Sequence, residues 1–208
     1  MASLTIESDI VNSSGLAAIT GLDEAGRGAL AGPVVAAAVI LPLKSPSLLA
    51  RLVEVNDSKQ LSANKRTELY EVIQEVAVTF GVGSRSAHYI DSYGIIAATK
   101  QAMLDALQEL HPPSEYLLID GRIRLKQSPV PQQAIIRGDS ISLSIAAASI
   151  LAKVTRDRIM IALDSRYPEY GFASHKGYGT ERHRIVLSQL GPTPEHRLTF
   201  APLKATLL

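Results

Sequence analysis

The sequence predicts a single α/β domain, a mixed β-sheet flanked by α-helices. Three observations point there: three strand-type segments early in the chain, two later short apolar strands that alternate with helical stretches, and a length of 208 residues, 46% hydrophobic. Alternating elements of this kind pack as helices on a sheet. A chain of this size suits one domain of about 100 to 200 residues that buries roughly 70% of its unfolded surface.

The first strand is the apolar stretch Leu16 to Leu22, which ends on Asp23 and Glu24 and a turn dense in glycine (Gly21, Gly26, Gly28). Residues 1–15 before it are expected to form an N-terminal tail. Val34 to Leu41 has strand length and several β-branched residues, with Pro33 before it and Pro42 and Pro46 after it. A polar loop follows (Asn56, Asp57, Ser58, Lys59, Gln60), and then Ser62 is placed to cap a helix whose Leu69, Val72, Ile73 and Val76 keep a 3.6-residue spacing. Val76 to Val82 alternates as a third strand. Ile95 to Leu110 is helical, and Pro112 and Pro113 stop it. Tyr116 to Ile119 is a short strand closing on Asp120 and Gly121, and Gln133 to Ile136 is another closing on Gly138 and Asp139. Ser140 is then expected to cap a long helix, Ile141 to about Leu163, whose first three turns are apolar nearly all round and therefore central. A loop rich in Gly, His and Lys (Gly171 to Gly179), a helix near Thr180 to Gln189, and a C-terminal tail over residues 190–208 complete the chain. No repeat or low-complexity linker divides residues 1–208 into smaller units.

Composition excludes several function classes. Without cysteine there is no disulfide framework and no thiolate metal or redox site, which agrees with a cytoplasmic location. Met1 to Asn12 carries two acids and no positive segment, so it is not a secretory signal. The apolar runs Ala29 to Leu43 and Ile141 to Ala152 fall short of the roughly 20 residues needed to span a bilayer. The absent Trp and 5% aromatic content argue against a base-stacking binder. The net charge of +1 hides a split: residues 1–120 hold 8 basic and 14 acidic side chains, residues 121–208 hold 13 and 6. That asymmetry suits a basic surface beside an acidic site, although solvated faces would give it too.

The acids at strand ends carry the chemistry. Alone, Asp23 and Glu24 could mark a solvated turn, Asp120 a strand-end turn, and Asp139 a helix-start acid favoured by the dipole. Together they make an all-oxygen site at the strand ends where open α/β sheets place ligands. Hard carboxylate ligands suit Mg²⁺ or Mn²⁺ rather than Zn²⁺ or copper, and two such ions hydrolyse phosphodiesters by in-line displacement. The segment Gly26 to Ala31 also fits the dinucleotide pattern G-x-G-x-x-A, but a proline and a strand follow it where that motif needs a helix.

The runs GLDEAGRGALAGPVVAAAVIL (Gly21 to Leu41), NDSKQLS (Asn56 to Ser62), LIDG (Leu118 to Gly121), RGDSISLSIAAASILAKVTRD (Arg137 to Asp157), SHKGYGT (Ser174 to Thr180) and PEHRLTFAPLK (Pro194 to Lys204) appear in this order. In them the chain resembles the bacterial ribonuclease HII family. The resemblance implies an RNase H-like fold and an endonuclease that cuts the RNA strand of RNA·DNA hybrids and DNA duplex containing single ribonucleotides, on the 5′ side of each ribonucleotide. It implies 3′-hydroxyl and 5′-phosphate ends, catalytic and metal-binding roles for Asp23, Glu24, Asp120 and Asp139, and two Mg²⁺ or Mn²⁺ ions. Gly26, Arg27 and Gly28 would hold the 2′-hydroxyl, and Tyr178 would stack under that sugar. Lys59, Lys153, Arg156 and Lys176 are candidates for duplex phosphates, although Lys153 and Arg156 could equally be solvated helix positions; Asp157 is expected in an ion pair, and His175 or His183 would at most touch the substrate. A monomer without a stable protein partner is expected. The rivals are a ribonuclease HIII-like nuclease, which would carry an extra N-terminal domain and a lysine where Arg27 stands, and a non-catalytic hybrid-binding protein lacking one of the four acids.

Overall fold

In chain order the elements are α1 (Thr5–Ser14), β1 (Ile19–Ala25), β2 (Val34–Ile40), α2 (Pro46–Leu49), α3 (Ala63–Val76), β3 (Thr79–Arg85), α4 (Ala87–Tyr93), α5 (Ile95–Gln108), β4 (Tyr116–Asp120), β5 (Gln132–Ile135), α6 (Leu143–Arg166), α7 (Phe172–His175) and α8 (Glu181–Leu190). The computed structural model describes residues 2–56, 58 and 61–203. Its five strands form one sheet in the order β3-β2-β1-β4-β5, antiparallel from β1 through β3 and parallel from β1 through β5. This is the mixed sheet that the sequence predicts.

Every residue of β2 is buried, because helices cover both faces of the sheet. Ala37 and Val39 of β2 point to α3 and α6, among Leu69, Ile73, Ala147 and Leu151. Their neighbours Ala36, Ala38 and Ile40 point the other way, to Ala102, Met103 and Ala106 of α5. The long helix α6 lies tightly against β1, since a Cβ on Gly21 would come within 2.1 Å of the Ser144 carbonyl carbon. That approach carries Ser149 and Lys153, farther along α6, to the carboxyl end of β1.

Several boundaries depart from the sequence expectation. Residues 2–15 are not a loose tail: Ile6, Ile10 and Val11 of α1 pack on Ile19, Leu118, Ile135 and Ile145. The buried Glu7 carboxylate accepts from the Ser142 hydroxyl (2.6 Å) and the Ser144 amide (3.0 Å) at the start of α6, where a negative charge meets the helix dipole. Ser142, not Ser140, caps α6 through the Ile145 amide. Gly138–Ser140 instead forms one 3₁₀ turn behind Arg137 at φ 57°, and buries Asp139. The third strand starts at Thr79 because Val76 completes the last turn of α3, whose expected cap Ser62 does accept from the Lys65 amide. Helix α4 was not foreseen; it is seven residues long, and only Ala87 and Ile90 of it are buried. Residues 191–203, after α8, are also no free tail: Thr193, His196, Arg197 and Leu203 are buried among them. Among the described residues no helix is long and apolar enough to cross a membrane.

Candidate active site

The strand β1 runs on past the last parallel pair it makes with β4, Leu22↔Ile119. The acids Asp23 and Glu24 therefore stand inside the strand rather than beyond it, and one further step of register sets Asp23 beside Asp120, the last residue of β4. Adjacent strands lie about 4.8 Å apart, so these two carboxylates share the α6 side of the sheet edge. The Gly138 amide donates to Asp120 Oδ1 (2.7 Å), which ties the end of β4 to the turn holding Asp139. The Glu24 amide donates to Asp23 Oδ1 (2.7 Å), and the Arg27 guanidinium pairs with Glu24 at 2.9 Å.

Asp23 is buried, and that burial pushes its carboxyl well above the usual 3.8; the charges of Glu24, Asp120 and Asp139 push it the same way, against the lowering effect of the Glu24 amide. Like charges gathered at a buried carboxylate are what a divalent cation relieves. The donor set also fits: Asp23, Glu24 and Asp120 line one cleft of about 640 Å³ with Ala25, Gly26, Arg27, Gly28, Ser58, Ser149, Lys153 and Tyr178, and no histidine lines it. Such hard oxygen donors suit Mg²⁺ or Mn²⁺. Among the described residues no three His, Cys, Asp or Glu side chains converge as a finished coordination shell. A separate cleft of about 360 Å³, walled by Val11, Ile40, Leu41, Leu43 and Pro112, is apolar and contains none of these acids.

The glycine turn is held from behind. Fully buried Arg156 donates to the carbonyls of Pro33 (2.9 Å), Lys176 (2.9 Å) and Ala31 (3.0 Å). Fully buried Arg197 donates twice to Gly32 O (3.1 and 2.9 Å) and once to Arg27 O (2.9 Å). Burial lowers both guanidiniums from their ordinary range, Arg197 to about 9 with the charge of Arg156 adding to the effect. Arg156 is thus an internal brace and not the phosphate contact expected of it.

Gly26 and Gly28 differ in what they require. Gly26 has φ +91°, and a Cβ there would meet Arg156 Nε at 1.9 Å; at Gly28 nothing among the described residues lies within 4 Å. Gly26→Ala is therefore expected to lower stability by more than about 2 kcal/mol from backbone strain and collision. Gly28→Ala should melt within about 1 kcal/mol of the parent, and a cleavage defect in it would report crowding of the substrate alone. Thermal melts and cleavage rates on the two variants check this split.

Tyr178 is 37% exposed, with Arg156 5.3 Å and Lys153 5.8 Å from its ring centroid. Lys153 pairs with Asp157 at 2.7 Å, the ion pair expected for Asp157. Lys176 does not line this cleft. Its ammonium donates to Ala173 O, and it lines an adjoining groove of about 390 Å³ with Lys153, Arg66, Arg158 and Ser174. Lys59 lies outside the described residues. His175 and His183 are set in internal hydrogen bonds, to Tyr170 O (2.7 Å) and Tyr178 O (2.9 Å), rather than toward a substrate.

Sequence reasoning missed Ser58 and Ser149, whose hydroxyls share a 2.7 Å hydrogen bond at the cleft wall. It also missed Arg66, which donates to the carbonyls of Ser58 (2.8 Å) and Leu61 and so steadies that loop. The spacing of Ser149 and Lys153, one helical turn apart, was the available signal for the first.

Against known proteins, the family model described as Ribonuclease HII matches residues 20–203. A ribonuclease HII of Chloroflexus aurantiacus is 52% identical over 208 residues, covering 99% of this chain and 96% of its own. One of Roseiflexus castenholzii is 54% identical over 189 residues, covering 91% and 84%. The crystal structure of the ribonuclease H2 from Pyrococcus horikoshii OT3 superposes with a TM-score of 0.76 at 25% identity, covering 90% of this chain and 95% of that one.

Proposed function

Because the chain belongs to the ribonuclease HII family and is a ribonuclease H, we propose that it cuts the RNA strand of RNA·DNA hybrids and incises duplex DNA 5′ of a single embedded ribonucleotide, leaving 3′-hydroxyl and 5′-phosphate ends. One observation carries the reading: a single cleft is lined at once by Asp23, Glu24 and Asp120, by the Gly26–Gly28 turn and by the Tyr178 ring.

Only the 2′-hydroxyl tells RNA from DNA at one nucleotide. The braced turn offers backbone groups to it, and the open space at Gly28 lets the sugar come close. With carbonyls of Arg27, Ala31, Gly32 and Pro33 fixed by two guanidiniums, the turn holds its shape before substrate arrives. Such preorganisation is worth more than an equal contact made by a mobile loop. The Tyr178 ring, flanked by two cations, stacks on the sugar and rejects the wrong geometry by shape. Asp23, Glu24, Asp120 and Asp139 would hold two Mg²⁺ or Mn²⁺ ions. When bound, such ions supply an activated water and neutralise the leaving oxygen. Lys153 faces the phosphate from the cleft wall, and the groove it shares with Arg158 and Lys176 leads the flanking duplex backbone away.

Tyr178→Ala tests the specificity half of this reading. Its kcat/KM on a duplex with one ribonucleotide is expected to fall on the order of 10- to 100-fold, the scale of one lost stacking contact, and by less on a long hybrid. An equal rate on the single ribonucleotide would remove Tyr178 from substrate recognition. In the same assay EDTA should stop the wild-type protein and Mg²⁺ or Mn²⁺ restore it.

A further inference from the structure

Tyr178 sits on a sharp bend. Lys176 and Gly177 both have positive φ, +52° and +80°, and a non-glycine residue held there costs on the order of 1 kcal/mol. A Cβ on Gly177 would stand 2.4 Å from Ala31 O, so the bend is pressed against the glycine turn, and Gly177 O accepts from the Leu30 amide (2.8 Å). A bend of this kind keeps its shape only where its backbone groups are tethered.

The tether comes from the segment after α8. Thr193 N–H lies 2.9 Å from His196 Nδ1; an amide can only donate, so His196 Nδ1 accepts and the ring proton of neutral His196 sits on Nε2. His196 Nε2 lies 3.0 Å from His183 Nε2, which must then accept. The proton of neutral His183 is therefore on Nδ1, where it donates to Tyr178 O at 2.9 Å. Each tautomer is fixed by the link before it, and the chain runs one way only, from the Thr193 amide to the Tyr178 carbonyl. His175 supports the same bend. Its ring stacks on His183 at 4.3 Å, its Nδ1 accepts from the Gly177 amide (3.2 Å), and its Nε2–H donates to Tyr170 O.

We propose that His183 and His196 are positioning residues for Tyr178, a relay of two neutral imidazoles that sets the height of the ring over the ribose. The proposal rests on the reading of Tyr178 as the residue that stacks on the sugar. Neither imidazole lines the cleft, so both act through the Tyr178 backbone rather than on the substrate. Protonating either would break the order: a second proton on His183 turns N–H toward N–H at His196, and one on His196 sets its Nδ1–H against the Thr193 N–H. Burial and the neighbouring imidazoles lower both, His196 to about 4, which keeps the relay neutral at physiological pH.

The test compares His183→Asn with His183→Gln, alone and combined with Tyr178→Ala, by kcat/KM on a duplex carrying one ribonucleotide. Asn places an amide N–H where His Nδ1 stood and keeps the bond to Tyr178 O; Gln carries its amide past that point and loses it. His183→Gln is expected to fall roughly 10- to 100-fold, the scale of an ångström-sized misplacement, and His183→Asn to recover most of the loss. In the Tyr178→Ala background His183→Gln should cost nothing more, because the ring it positions is gone. Equal losses in both backgrounds would make the effect general destabilisation and overturn the proposal, as would Asn and Gln behaving alike. If Tyr178→Ala is harmless by itself, the reading of Tyr178 fails; if Tyr178→Ala is harmful while His183→Gln is not, the relay alone fails.

Discussion

Asp120→Asn and Asp139→Asn are each expected to lower cleavage by a factor on the order of 10³ or more, because a ligated ion contributes several kcal/mol to a phosphoryl transition state. Binding of the hybrid should survive. In Asp120→Asn the amide oxygen can still accept from Gly138 N–H, so the turn beside it stays in place. Stability should move the opposite way to activity. The Asp23 carboxyl is held above 3.8 by burial and by Glu24, Asp120 and Asp139, so the metal-free native state keeps a proton the unfolded chain has lost. Stability of the metal-free protein therefore falls as pH rises from about 3.8 through the higher native value. Replacing Asp139 removes one of the repelling charges, so the variant should melt no lower than the parent in EDTA near neutral pH, and its decline with pH should be shallower. Added Mg²⁺ should raise the melting temperature of the parent and do less for the variant. Melts across pH with and without Mg²⁺, beside cleavage rates, check all of this. Near-normal turnover in either variant would take the metal role away from that acid.

Arg197→Met is expected to destabilise the protein by about 3 to 5 kcal/mol. The guanidinium of Arg197 satisfies Gly32 O and Arg27 O from a fully buried position. Each carbonyl stranded without it costs about 1 to 3 kcal/mol, and the shorter side chain leaves unfilled volume besides. In a chain of this size the melting temperature should fall by roughly 10 °C. Arg197→Lys should recover little, since one ammonium cannot span two carbonyls as a planar fork does. A decrease of under about 2 °C would show that solvent replaces Arg197 and that the glycine turn does not depend on it.

Arg197 also shows what the sequence could not reveal. Its charge, like that of Arg156, reads as surface in a one-dimensional count, and both belong to the 13 basic residues behind the C-terminal excess. Both are internal, so part of that excess braces the site rather than facing a duplex. The elements with strong periodicity were legible: β2, α3 with its Ser62 cap, α5 and the apolar start of α6 all stand within a few residues of expectation. So was the placing of Asp23, Glu24 and Asp120 on one cleft, because they close apolar strands that the sheet sets side by side; Asp139 does not line that cleft and is tied to Asp120 through the Gly138 amide. Where an element's partner is distant in sequence, the pattern was silent. The start of α6 is fixed by Glu7, some 135 residues away, and the Tyr178 bend by His196 through His183 and by the Leu30 and Ala31 amides, which donate to Gly177 O.

The central claim is that one cleft joins carboxylate-held metal chemistry to recognition of a single 2′-hydroxyl. The most direct measurement incubates the protein and Mg²⁺ with a DNA duplex carrying one ribonucleotide and maps the product ends. One incision on the 5′ side of the ribonucleotide, leaving a 3′-hydroxyl and a 5′-phosphate, is the expected result. Cleavage elsewhere, or at the same rate in an all-DNA duplex, would contradict it.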